Sequence, residues 1–73
     1  ATTGAYTWTA TGLGNKYITG VYKDGRGRSN IITSGTPVGN EVLYETSGDD
    51  AVFTFPEPFE DGETPPYATY RDL

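Results

Sequence analysis

The chain has 73 residues, enough for one domain with a small core, since a chain this short buries only roughly 60% of the surface its unfolded form exposes. Apolar residues make up 34% and there is neither cysteine nor histidine, so disulfides, thiolate metal sites and the commonest transition-metal ligands are excluded. Association with other chains is the stabilising device left open, and a net charge of −5 argues against nucleic acid or an anionic membrane as the main partner.

Residues 1–5 read as a loose lead-in, and Ala1-Thr2-Thr3 reads as a mature end left by removal of an initiator Met or a pro-segment. Tyr6-Thr7-Trp8-Thr9-Ala10-Thr11 alternates with period two, which predicts a half-buried strand. Trp8, the single tryptophan, is expected at the centre of the core. Gly12-Leu13-Gly14-Asn15 breaks the run. Lys16 to Lys23 is a second strand. Strict alternation puts Tyr17, Thr19 and Val21 on one face and Ile18, Gly20 and Tyr22 on the other. Gly20 in mid-run predicts a bulge or the close approach of a ring. Asp24-Gly25 is a tight-turn dipeptide that places Arg26 and Arg28 at or near a tip. Ser29 to Thr33 is a third run centred on Ile31 and Ile32, ended by Ser34-Gly35-Thr36-Pro37.

The stretch from Val42 to Phe59 carries the strongest signal. Val42–Thr46 and Ala51–Phe55 are two short strands around Ser47-Gly48-Asp49-Asp50, the usual sign of a β-hairpin. All three phenylalanines, Phe53, Phe55 and Phe59, lie here. Pro56-Glu57-Pro58 removes two backbone donors and cannot lie inside a sheet, and Phe59 reaches back as an anchor. Glu60-Asp61-Gly62-Glu63 is an acidic turn, and Thr64-Pro65-Pro66 is extended. Tyr67-Ala68-Thr69-Tyr70 is either a last strand or an arm laid on another subunit. No apolar stripe recurs at helical spacing, and 12 Thr with 10 Gly oppose helix. The expected fold is all-β, a small sandwich or flattened barrel of five or six antiparallel strands with extended termini. Its parts are a lead-in (1–5), a β-domain (6–59) and an acidic, Pro-containing arm (60–73). The core is assigned to Trp8, Val21, Ile31, Val42, Phe53 and Phe55.

Charge is unevenly divided: residues 1–40 carry +3 and residues 41–73 carry −8. The split permits a head-to-tail contact between copies, and solvated surface charge at both ends is the simpler reading. Asp49-Asp50 and Glu60-Asp61-Gly62-Glu63 are the carboxylate clusters. Held about 5 to 9 Å apart across a cleft, such pairs hydrolyse glycosides; presented from turns, they suit calcium. This chain hardly supplies both strands and a cleft wall, and the spacing lacks the D-x-D-x-D-G pattern, so turn acidity is the reading adopted. Ser29, Ser34 and Ser47 have no histidine to activate them. A Lys–Asn crosslink would need Lys16 or Lys23 beside an Asn and an acid. Arg26-Gly27-Arg28 with the nearby aromatics sketches a nucleic-acid patch, against which stands the acidic total. No catalytic residue, cofactor or metal is assigned.

Ile18-Thr19-Gly20-Val21-Tyr22-Lys23-Asp24-Gly25, followed by Pro37-Val38-Gly39-Asn40-Glu41-Val42-Leu43-Tyr44-Glu45, resembles small β-modules of bacteriophage virion proteins. Phe53-Thr54-Phe55-Pro56-Glu57-Pro58-Phe59, with Pro65-Pro66 after it, resembles the strand ending of tail-fibre tip domains. The two patterns belong to different modules, and in fibres the module sits inside a much longer chain. The resemblance implies a virion structural protein, a capsid cement or decoration subunit or a fibre subunit. Its partners would be copies of itself and/or a larger virion protein, as a homo-oligomer or on a lattice; the acidic charge and the lack of a catalytic motif lead separately to the expectation of no nucleic acid, no membrane and no enzymatic activity. Arg26, Arg28, Phe59, Tyr67 and Tyr70 are the expected partner-binding residues. The alternatives are a carbohydrate- or receptor-binding β-module and an extracellular filament subunit, secreted or on a cell surface.

Overall fold

β-branched and aromatic residues set the strands, and glycines and prolines end them. The computed structural model describes residues 4–23, 27–60 and 62–72. Six strands follow in order: β1 (Tyr6–Ala10), β2 (Lys16–Tyr22), β3 (Asn30–Ile32), β4 (Glu41–Ser47), β5 (Asp50–Phe55) and β6 (Tyr67–Asp72). They form a four-stranded sheet in the order β1-β5-β4-β3 and a two-stranded ribbon of β2 and β6. The all-β expectation holds, as does the central hairpin. Gly48 takes φ +61° at the first position of the two-residue β4–β5 turn, the sign that a primed hairpin turn requires.

One row of the sheet shows where the core lies. Trp8 of β1 and Tyr44 of β4 both face Phe53 of β5 in register. Their rings stack on Phe53 at 5.4 and 5.3 Å between centroids. Phe53 is fully buried, and Ala10, Val42, Ala51 and Phe55 are buried on the same face. Val21 closes this core from the ribbon, with Ile18 and Ala68 packed against it. Trp8 is therefore a half-buried flank on an edge strand, and Phe53, enclosed by strands on both sides, occupies the centre instead.

Three further expectations are corrected. Ile31 faces Val42 in register but is 37% exposed, because β3 is a three-residue edge strand with no other described strand on its far side. The β3–β4 pair is parallel, whereas the other pairs are antiparallel. Parallel pairs normally need long crossovers. Here the return covers only the short length of β3, and residues 33–40 manage it with Gly35 and Gly39 at φ +86° and +61°. Finally, the second half of the 60–73 arm is part of the body: Tyr67–Asp72 pairs along β2 from Tyr22 to Lys16. The Asp24-Gly25 turn lies outside the described residues.

The register shift in β2 accounts for the most. Ile18 pairs with Tyr70 and Gly20 with Thr69, so Thr19 is an extra residue, a β-bulge. A one-residue slip exchanges faces. Before the bulge Ile18 points inward; after it Val21 does, followed by Lys23. Tyr17 and Thr19 thus join Gly20 and Tyr22 on the outer face, and the strict alternation read from the sequence fails here.

Candidate functional site

The outer face of the β2–β6 ribbon gathers side chains that β-strand pairing sets opposite one another. Tyr17 stands across from Arg71, whose guanidinium lies 4.5 Å from the centre of the ring, a cation–π contact. In the middle, the Thr19 hydroxyl donates to the Thr69 hydroxyl at 2.8 Å. At the far end Tyr22 and Tyr67 stack at 4.9 Å with planes 16° apart. Gly20 explains how the rings lie flat. A Cβ there would meet Tyr22 Oη at 2.7 Å and Arg28 Cδ at 3.1 Å, so both side chains lie across the bare backbone. The Arg28 Nη1 donates to the Thr19 carbonyl at a long 3.5 Å. Tyr17 and Tyr67 each remain 50% exposed. The result is a preorganised strip of three tyrosines, two threonines and two arginines, cationic on an acidic chain.

At the Tyr17–Arg71 end of the ribbon, on the face of Ile18 and Tyr70, lies an ion pair, Lys16 Nζ to Asp72 Oδ1 at 2.5 Å. The hydrogen bond from Lys16, then its charge, holds the Asp72 carboxyl below its ordinary range. The same hydrogen bond and the Asp72 charge raise Lys16 above its ordinary value.

Arg28 and Tyr67 of the expected set meet here, joined through Gly20, Tyr22 and the Tyr22–Tyr67 stack. Tyr70, opposite Ile18, is 50% exposed on the other face. Phe59 is half-buried and serves the body, stacking on Tyr6 at 5.4 Å. Arg26 lies outside the described residues. Tyr17, Tyr22, Thr19, Thr69 and Arg71 complete this face, and strict alternation does not group them, because the bulge brings Tyr17 and Thr19 to the side of Tyr22. The period-two spacing of Tyr67, Thr69 and Arg71 was the available signal.

The other candidate groups are taken up in holding turns. Asp50 Oδ1 accepts from the Gly12 amide at 2.9 Å, and Asp49 Oδ1 accepts from Asn15 Nδ2 at 3.3 Å. The Gly14 amide donates to the Asp49 carbonyl at 2.8 Å. Glu63 Oε1 accepts from the Glu60 amide at 2.7 Å, and its Oε2 meets Lys23 Nζ at 2.8 Å. Lys23, only 2% exposed, also donates to the Pro58 carbonyl at 3.1 Å, and its ammonium lies about 6 Å from the Phe55 and Phe59 rings. The asparagines are engaged elsewhere: Asn15 with Asp49, and Asn30 with Asn40. The contacts of Lys23 are thus a carbonyl, a carboxylate and two rings, a different set from that of a Lys–Asn crosslink. Among the described residues, no group of three or more His, Cys, Asp or Glu is placed to hold a metal ion. Comparison of the chain with family models, curated proteins and solved structures finds no match.

Proposed function

We propose that the chain is a structural binding module that docks onto a neighbouring protein subunit through the outer face of the β2–β6 ribbon, in the manner of a virion decoration, cement or fibre subunit. The observation that carries this reading is the Tyr17–Arg71 and Tyr22–Tyr67 pairing, which holds large amphipathic rings flat and half-exposed. Tyr and Arg dominate the energetics of protein interfaces. Rings already fixed lose little rotamer freedom on docking. The virion setting itself is supported by the turn-and-strand motifs of residues 18–25 and 37–45.

A second reading, a carbohydrate-binding module, is favoured by the same half-exposed rings beside Thr and Arg donors. A glycan array with the purified chain, run beside light scattering over a range of concentrations, separates the two. The subunit reading expects no sugar preference, with a mass above the 7.9 kDa monomer where the neighbouring subunit is another copy. A monomer that selects particular glycans, and loses them on Tyr17→Ser or Tyr67→Ser, overturns it.

A further inference from the structure

The ribbon ends in an open edge. β6 pairs with β2 on one side, and none of the other described strands lies along its other side. The strand is six residues long, and its interior holds neither proline nor lysine, the residues that commonly blunt such an edge. Four of its residues from Thr69 to Asp72 are exposed.

We propose that this edge is completed by a second copy of the chain, β6 against β6 in antiparallel, around a two-fold axis through Thr69. This rests on the subunit reading above and adds to the outer face a second contact, at the strand edge, with a copy of the chain as the partner. The argument is self-complementarity. An axis at Thr69 and perpendicular to the ribbon sets Tyr67 of each copy opposite Arg71 of the other. It sets Thr69 opposite Thr69, and Ala68 opposite Tyr70. The intrachain ribbon already uses these pairs, with Arg71 on Tyr17 and Thr19 on Thr69. Each Arg71 then lies between two tyrosine rings in the row Tyr17, Arg71, Tyr67, Tyr22, the last two from the other copy. Two such rows, one on each side of the axis, cross a continuous sheet in the order β2-β6-β6-β2. No like charges face each other: Arg71 stands opposite a tyrosine, and Asp72 opposite Pro66. The opposite-end pairing of an aromatic with a cation is what an isologous contact requires. The strand-to-strand hydrogen bonds supply affinity, and the Tyr–Arg rows fix the register.

A Thr69→Cys variant tests the geometry directly, because the chain has no cysteine of its own. Directly opposed residues of an antiparallel pair have Cα atoms about 4.5 or 5.5 Å apart, both within disulfide reach. The expected result is rapid oxidation to a covalent dimer, with Thr7→Cys, on the exposed face of β1, staying monomeric under the same oxidant. On the cysteine-free chain, light scattering should give twice 7.9 kDa. Arg71→Glu should weaken the dimer by about tenfold or more, since it removes both cation–π rows at once. Circular dichroism of that variant checks that the fold persists. A larger oligomer in which position 69 does not crosslink overturns this edge contact and leaves the subunit reading standing. A chain that stays monomeric at high concentration, with Thr69→Cys oxidising no faster than Thr7→Cys, also overturns it. Failure of the subunit reading is the separate glycan-binding outcome given above.

Discussion

Removing the Glu63 charge should cost this domain a large share of its stability. Lys23 is 2% exposed and the Glu63 side chain 14%, with 2.8 Å between Nζ and Oε2. At an effective dielectric of about 20, two charges at that distance attract by roughly 6 kcal/mol, against which stands the loss of their hydration. In Glu63→Gln the hydration of Lys23 stays lost while the opposing charge goes. The ammonium keeps the Pro58 carbonyl and the Phe55 and Phe59 rings, which are weak compensation. Breaking one side of a buried pair costs about 3–5 kcal/mol. A chain of 73 residues has roughly 4–11 kcal/mol in total. The assay is urea unfolding at 25 °C followed by fluorescence of Trp8, whose ring lies on Phe53. The midpoint of Glu63→Gln should fall by about a third or more at unchanged slope. The double variant Lys23→Met, Glu63→Leu should come back to within about 1.5 kcal/mol of the parent, since an apolar pair of similar volume needs no hydration. A Glu63→Gln midpoint within about 1 kcal/mol of the parent refutes the reasoning, because the amine must then reach water.

Gly14→Ala places a Cβ 2.7 Å from the Asp49 carbonyl carbon and 2.8 Å from the Asp50 amide nitrogen, backbone atoms of the β4–β5 turn that cannot yield. It should lose about 2–3 kcal/mol, seen as a drop of roughly 10 °C or more in the thermal midpoint; a shift below 3 °C would show that the turn is free to move. Gly20→Ala meets only side-chain atoms, Tyr22 Oη and Arg28 Cδ. Its stability cost should be near 1 kcal/mol, but NMR should show the Tyr22 and Tyr67 ring signals moving apart from their stacked positions. Unmoved ring shifts would show that Gly20 does not seat the stack. The Lys16–Asp72 pair sets two pH limits. Asp72 is lowered, so its stabilisation is complete above the ordinary 3.8 and is lost as pH falls through the lowered value. Lys16 is raised, so its share is complete below 10.5 and is lost as pH rises through the raised value. The protection of the Tyr17 and Arg71 amides, as exchange relative to the intrinsic rate at each pH, should therefore fall at both extremes, and Asp72→Asn should already show the lower protection at neutral pH; equal protection in parent and variant at pH 7 excludes the pair as a clamp.

The sequence announces the strands through local rules that tertiary structure leaves intact. β-branched alternation, Gly48 in the hairpin, and Pro56 and Pro58 after β5 all depend on neighbours close in the chain. It does not announce partners. The parallel β3–β4 pair depends on how the loop 33–40 returns, and the burial of Ile31 depends on which strand lies at the edge. The candidate face was concealed by one inserted residue, Thr19, which regroups every side chain along β2. In the sequence Lys23 is only the last residue of the second strand, and the position of Glu63, forty residues on, is what makes its burial tolerable.

The pairing scheme also governs the order of folding. β4 and β5 are neighbours in sequence, whereas β1 must find β5 and β2 must find β6 across most of the chain. The hairpin closes a two-residue loop, while the other two pairings wait on long closures. Substitutions in β4 and β5 should thus slow folding, and those in β6 should chiefly speed unfolding, a contrast that stopped-flow measurements would expose. β6, paired with β2 alone, is then one of the strands whose place waits on a long closure. A segment of that kind releases β2 and its own edge together, so two opened copies can exchange β6 once the protein concentration approaches the effective concentration of each chain's own closure.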